Sequence, residues 1–152
     1  MRIFISYSSP DSNIVSVLAD QLKLYGEVYY WDKDNAPEES AWEQIFSWID
    51  NSDIVLVLVT DASIARAMSV GREVGRAKSG NKFIVPIVSS SVSKKGLGFL
   101  SDITYQVIDI INPAPALNRI IDLIDCRDKE KFQKLSLILV TIGFFFWLMN
   151  KK

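Results

Sequence analysis

Short apolar runs and helical stripes take turns along this chain. The first run, Arg2–Ser6 (RIFIS), predicts a strand, and Ser9-Pro10-Asp11 then sets an N-cap with proline at the first helical position. Ile14, Leu18, Leu22 and Tyr25 recur at helical spacing, with Gly26 as the expected stop. Glu27–Trp31 (EVYYW) reads as a second strand, followed by a polar loop, Asp32–Glu39, around Pro37. Ser40-Ala41-Trp42-Glu43 has the form of a capping box, and behind it Trp42, Ile45, Phe46 and Ile49 make the buried stripe of a second helix. Ile54–Thr60 (IVLVLVT) is a continuous β-branched run, the mark of a strand covered on both faces, and is expected at the centre of the sheet. A helix over Ile64–Ser79 places Val70, Val74 and Ala77 inward and stops at Gly80-Asn81. Phe83–Val88 is the fourth strand and Tyr105–Ile111 the fifth, separated by a Ser/Lys/Gly loop and a short Leu97–Leu100 turn. Pro113 and Pro115 open a last helix with Leu117, Ile120, Ile121 and Ile124 inward. Five strands alternating with helices, without a hairpin signal, predict an α/β, flavodoxin-like, doubly wound five-stranded parallel sheet.

The pattern then changes. Cys126–Lys134 (CRDKEKFQK) is hydrophilic and reads as a linker, after which Leu135–Asn150 runs sixteen residues without a charge. As a helix those residues reach about 24 Å, somewhat short of a hydrocarbon core of about 30 Å. Flanking lysines that snorkel, or local thinning of the bilayer, make up the difference. Apolar side chains cover every face, whereas an interfacial helix needs a strongly polar side. The expected organisation is a domain over 1–125, a charged linker over 126–134 and a transmembrane helix over 135–150; a buried core helix is the competing reading of the tail.

Composition sharpens this picture. Of 152 residues 49% are apolar and 23% charged, and a mean hydropathy of +0.16 is high for a soluble chain because of that tail. Residues 1–125 carry 11 Lys/Arg against 16 Asp/Glu, leaving −5, while 126–152 carry 6 against 2, leaving +4. A domain of charge −5 is a poor match for nucleic acid, where phosphate contacts supply most of the affinity, so nucleic acid is not an expected partner. The absence of histidine excludes Ser-His and Cys-His nucleophile pairs, a histidine base and His-ligated metals. A lone Cys126 forms no internal disulfide, and Met1-Arg2 lead straight into an apolar strand, so the bulk of the chain is expected in a reducing cytoplasm.

In open α/β sheets ligands bind outside the carboxyl ends of the strands. Those ends offer Tyr7, Ser8 and Ser9, then Trp31 and Asp32, then Thr60, Asp61 and Ser63. No glycine-rich phosphate fingerprint follows the first strand, which disfavours a Rossmann dehydrogenase. A phosphoacceptor receiver would carry an acidic pair where this chain has Tyr-Ser-Ser.

The residues IFISYS (Ile3–Ser8), YWDKDNAPEES after the second strand, SAWEQIFSWIDNSDIVLVLVT (Ser40–Thr60) and SVGREVGRAKSGNKFIVPIV (Ser69–Val88) together resemble the Toll/interleukin-1 receptor, or TIR, domain family over about residues 2–125. The resemblance implies one of two roles. TIR domains are adaptors that assemble through homotypic contacts, or enzymes that cleave the nicotinamide–ribose bond of NAD to give ADP-ribose or a cyclic isomer, in bacteria as part of antiphage defence. Catalytic members carry a glutamate on the helix after the third strand, and Glu73 matches it. Cleavage passes through an oxocarbenium-like cation that an ionised carboxylate stabilises, and nicotinamide leaves without needing a proton. NAD is then a substrate, and no cofactor or metal is expected.

Two departures from the family stand out. Many active relatives place a tryptophan four residues before the glutamate, where this chain has Ser69; Tyr7 and Trp31 are the candidate replacements for a nicotinamide platform, with packing as the competing role. The loop after the second strand reads Pro37-Glu38-Glu39 where many relatives have glycine after proline. Ser8 is a candidate for ribose or phosphate binding, or a turn cap. Glu27–Asp50 sums to −6 and Arg66–Lys95 to +6, a complementarity that predicts head-to-tail self-association. Four positive residues before the tail against two after it predict a single-pass C-terminal anchor with the TIR domain cytoplasmic.

Overall fold

Covered on both faces, the apolar run at the middle of the chain organises everything around it. A computed structural model describes residues 1–31, 38–100, 102–109 and 111–130, the side chains of 38–40 excepted. The loop around Asp32 and Pro37 and the apolar stretch 135–150 lie outside the described residues. Two compact units divide the chain, Met1–Ile120 and Ile121–Lys152.

In the first unit the strands are β1 (Arg2–Ser6), β2 (Glu27–Tyr30), β3 (Ile54–Val59), β4 (Phe83–Ser89) and β5 (Gln106–Ile108). They pair in parallel in the order β2-β1-β3-β4-β5. All six residues of β3 are buried. The helices are α1 (Ser12–Leu22), α2 (Glu38–Asn51), a single turn α3 (Asp61–Ile64), α4 (Ala67–Ser79) and α5 over residues 114–130. The step from β1 to β2 runs opposite to the later crossovers, so the right-handed rule puts α1 on one face and α2 and α4 on the other. On that second face Phe4, Val55, Val57 and Val59 meet Ile49, Val70, Val74 and Ala77 in one core.

Several boundaries differ from the sequence pattern. Helix α1 begins at Ser12, because Ser9–Asp11 is a 3-10 turn closed by Asp11 N–H donating to Ser8 O at 2.8 Å. That helix ends at Leu22, so Gly26 does not stop it. Gly26 instead permits close approach: a Cβ there would lie 2.0 Å from Met1 O, beside the bond from Glu27 N–H to that same oxygen. Helix α2 starts at Glu38, two residues ahead of the expected cap at Ser40. The expected helix Ile64–Ser79 is two. Thr60 caps α3 by accepting from Ser63 N–H at 3.3 Å, and the chain turns at Ala65-Arg66 before α4. Strand β5 ends at Ile108, and just beyond it the Asp109 carboxylate accepts from Ile111 N–H at 2.9 Å.

Residues 126–130, read from the sequence as the start of a linker, continue α5, and Lys129 pairs with Asp125 at 2.7 Å. Among the described residues no helix is long and apolar enough to cross a membrane.

Candidate active site

Helix α4 carries three apolar residues to the core, Val70, Val74 and Ala77, and the same stripe contains Glu73. Spacings of three and four residues put all four on one face. Glu73 is accordingly 8% exposed rather than solvated. It lines a cleft of about 990 Å³ at the carboxyl ends of β1 and β2, together with Ser8, Ser9, Trp31, Trp42 and Arg66. A second, smaller chamber of about 40 Å³, sharing Ser9, Trp31, Ile45, Arg66 and Glu73 with the cleft, is lined also by Ser6 and Tyr7.

Burial works against the charged form of Glu73 and raises its pKa from 4.5 to about 7. Two neighbours oppose that rise. The Ser6 hydroxyl lies near the carboxylate, although it makes no hydrogen bond of good geometry, and the Arg66 guanidinium adds a favourable charge. Arg66 is the residue that precedes the first turn of α4, so the chain turn between α3 and α4 is what brings it to the site.

The expected site residues separate into three groups. Glu73, Trp31 and Ser8 converge on the cleft. Ser8 is buried, with Oγ 3.5 Å from Ala62 O, a contact at the outer limit of a hydrogen bond. Tyr7 lines the smaller chamber, where its hydroxyl donates to Trp31 O and its ring meets Tyr30 edge-on at 6.3 Å. Ser69, one turn before Glu73, is half-buried and is not among the residues lining either space. Asp32 lies outside the described residues.

Three site residues carry no expectation from the sequence. Trp42, read there as core, lines the cleft from α2 and carries the Arg72 guanidinium over its ring at 4.8 Å. Arg66 faces both spaces, and Ser6 ends β1 on the same side as Phe4. Strand alternation marks Ser6: two positions after Phe4, it faces the layer that holds α4.

Nearby, Asp11 is buried and accepts from Thr60 Oγ1 at 2.7 Å, while Ser63 Oγ donates to Leu58 O at 2.9 Å. Burial raises the pKa of Asp11, with the Thr60 bond opposing it. These bonds tie the turn after β1 to the end of β3 and so fix the cleft rim. Among the described residues no group of three or more Cys, Asp or Glu side chains is placed to hold a metal.

A buried carboxylate, an arginine and aromatic walls at strand carboxyl ends suit a ligand that is part cation, part anion and part ring. Known proteins sharpen the comparison. No curated protein matches the chain. Among solved structures, the TIR domain of the Toll-related receptor TRR-2 from the lower metazoan Hydra magnipapillata is 19% identical with a TM-score of 0.63, covering 81% of this chain and 97% of that one. The TIR domains of the activated Roq1 resistosome, which directly recognises the pathogen effector XopQ, are 13% identical with a TM-score of 0.62, covering 81% and 98%. The CMP N-glycosidase BcmB of Clostridium botulinum is 15% identical with a TM-score of 0.54, covering 79% and 98%. Identities this low establish a shared fold. The family profile for the TIR domain matches residues 3–136, nearly the whole chain, and the chain therefore belongs to the TIR domain family.

Proposed function

We propose that this TIR protein cleaves the nicotinamide–ribose bond of NAD, releasing nicotinamide and ADP-ribose or a cyclic isomer, in antiphage defence signalling. The observation that carries this reading is Glu73, a carboxylate 8% exposed on the wall of a cleft of about 990 Å³. Such a group stabilises a ribosyl cation far better than a solvated one, because its dipoles and charge need not compete with water. Arg66, beside it, suits the pyrophosphate. Trp42 supplies an aromatic wall in a chain that has Ser69 where relatives carry tryptophan, with Trp31 alongside. That one fold neighbour is a CMP N-glycosidase supports N-glycosidic bond cleavage as chemistry this scaffold accommodates.

The apolar tail over 135–150 anchors the chain, with the TIR domain in the cytoplasm where NAD is held. Confinement to a surface raises the local concentration of domains and favours TIR–TIR assembly. The Roq1 resistosome offers a parallel for TIR domains acting within an assembly. Incubation of the clustered full chain with NAD and, separately, with CMP tests the substrate. Nicotinamide release from NAD is expected; cytosine release from CMP alone would reassign the substrate, and release from neither would leave a non-catalytic adaptor.

A further inference from the structure

Among the described residues, Ser6 Oγ is a buried side-chain oxygen without a hydrogen-bond partner, on a residue only 2% exposed. Buried hydroxyls in folded proteins are satisfied by protein or by ordered water. Ser6 borders the smaller chamber, whose volume of about 40 Å³ admits one water. Polar groups reach that chamber from two sides: Ser6 and Tyr7 from β1 and its exit, and Glu73 and Arg66 from α4 and the residue before it. The Tyr7 hydroxyl donates to Trp31 O; Ser6, Ser9, Arg66 and Glu73 also line the chamber, and of these the unsatisfied Ser6 Oγ and the acceptor Glu73 carboxylate are the pair that would seat a water and take its proton.

We infer that Ser6 and Glu73 together hold one water in this chamber and that this water is the nucleophile of the cleavage, an inference that rests on the NAD reading above. The bond from ribose C1′ to nicotinamide breaks first, and the water oxygen then bonds to C1′ of the ribosyl cation that Glu73 stabilises. The bonding pair returns to the pyridinium nitrogen, giving neutral nicotinamide, and the water proton passes to the Glu73 carboxylate and thence to solvent. No oxidation or reduction occurs, and the product is linear ADP-ribose. The pKa of about 7 suits a carboxylate that must accept a proton at neutral pH. Ser6 touches water and not substrate, so it is a positioning residue.

This arrangement separates two fates of the ribosyl cation. Water attacks from the chamber, whereas a pyridine base enters through the open cleft. The full chain and its Ser6→Ala variant are incubated with NAD, with and without 3-acetylpyridine, and ADP-ribose and the base-exchanged dinucleotide are quantified by chromatography. Hydrolysis is expected to fall about tenfold or more in Ser6→Ala while exchange stays within about twofold of the parent. Ser6→Thr keeps the hydroxyl but adds a methyl to the chamber, and is expected to lose hydrolysis as well. An unchanged product ratio in Ser6→Ala, or equal loss of both reactions, overturns the water seat and leaves the role of Glu73 standing. No nicotinamide from the parent chain overturns the NAD reading, and the seat with it.

Discussion

Glu73 is pulled in two directions: the helix stripe buries it, and the proposed chemistry needs it charged. With a pKa of about 7 in the fold against an ordinary 4.5, the folded state holds a proton that the unfolded state has lost between those values. Stability therefore falls as pH rises from about 4.5 to about 7, by on the order of 3 kcal/mol once both states are ionised. Glu73→Gln keeps the shape and carries no charge. It should melt several degrees above the parent at pH 8, with the gap closing toward pH 5, and parallel melting curves across that range would show that Glu73 is not held in conflict. Turnover should follow the opposite sign, rising with pH through about 7 as the carboxylate ionises. Glu73 was singled out in the sequence by its match to the family position; that it shares the buried stripe of Val70, Val74 and Ala77 comes from the structure. Ser6 and Trp42 were not: alternation along β1 places Ser6 on the side of Phe4, but which elements line the cleft opposite Ser6 and Trp42 follows only from the strand order and crossovers.

At the level of elements, two helices form the walls of the cleft and are fastened to each other at their surface. Arg76 grips Asp50 through both guanidinium and carboxylate branches, Nε at 2.8 Å and Nη2 at 2.5 Å, and stacks over Phe46 at 5.6 Å. Lys82 closes the end of α2 by donating to Asp50 O at 2.5 Å and Ser52 O at 3.0 Å. One turn earlier on α4, Arg72 lies over Trp42. Strand identities were legible because apolar runs of four to seven residues bounded by polar turns have few alternatives. Boundaries were less so: Thr60 caps α3 and Asp109 accepts from Ile111 N–H just beyond β5, side-chain bonds that an apolar pattern does not register. Gly26 shows the same limit: it read as a helix stop, and its use is the approach of Met1 O. Gly26→Ala should cost about 1–3 kcal/mol, because backbone must move to admit the methyl. Chemical denaturation checks it, and a midpoint equal to the parent's would mean that β1 and β2 accommodate the change without strain.

For the whole molecule, strand order β2-β1-β3-β4-β5 puts the point where the winding reverses between β1 and β3, so the turn after β1 and the helices following β3 meet at one cleft. The alternation of elements foretold the sheet, and the handedness of crossovers leaves few other orders. The apolar tail is proposed as a membrane anchor. If residues 135–150 span a bilayer, the full chain should stay in the membrane pellet through carbonate extraction, and truncation after Lys134 should release a soluble domain that cleaves NAD poorly until it is clustered. Recovery of the full chain in the carbonate supernatant without detergent would remove the anchor from the account. If Glu73 in the cleft drives release of nicotinamide, one measurement shows it most directly: nicotinamide produced from NAD at pH 8 by the clustered full chain and by its Glu73→Gln variant, followed by chromatography. The parent should turn over and the folded variant should fall by about 10²–10³ or more; equal release by the two would contradict the account.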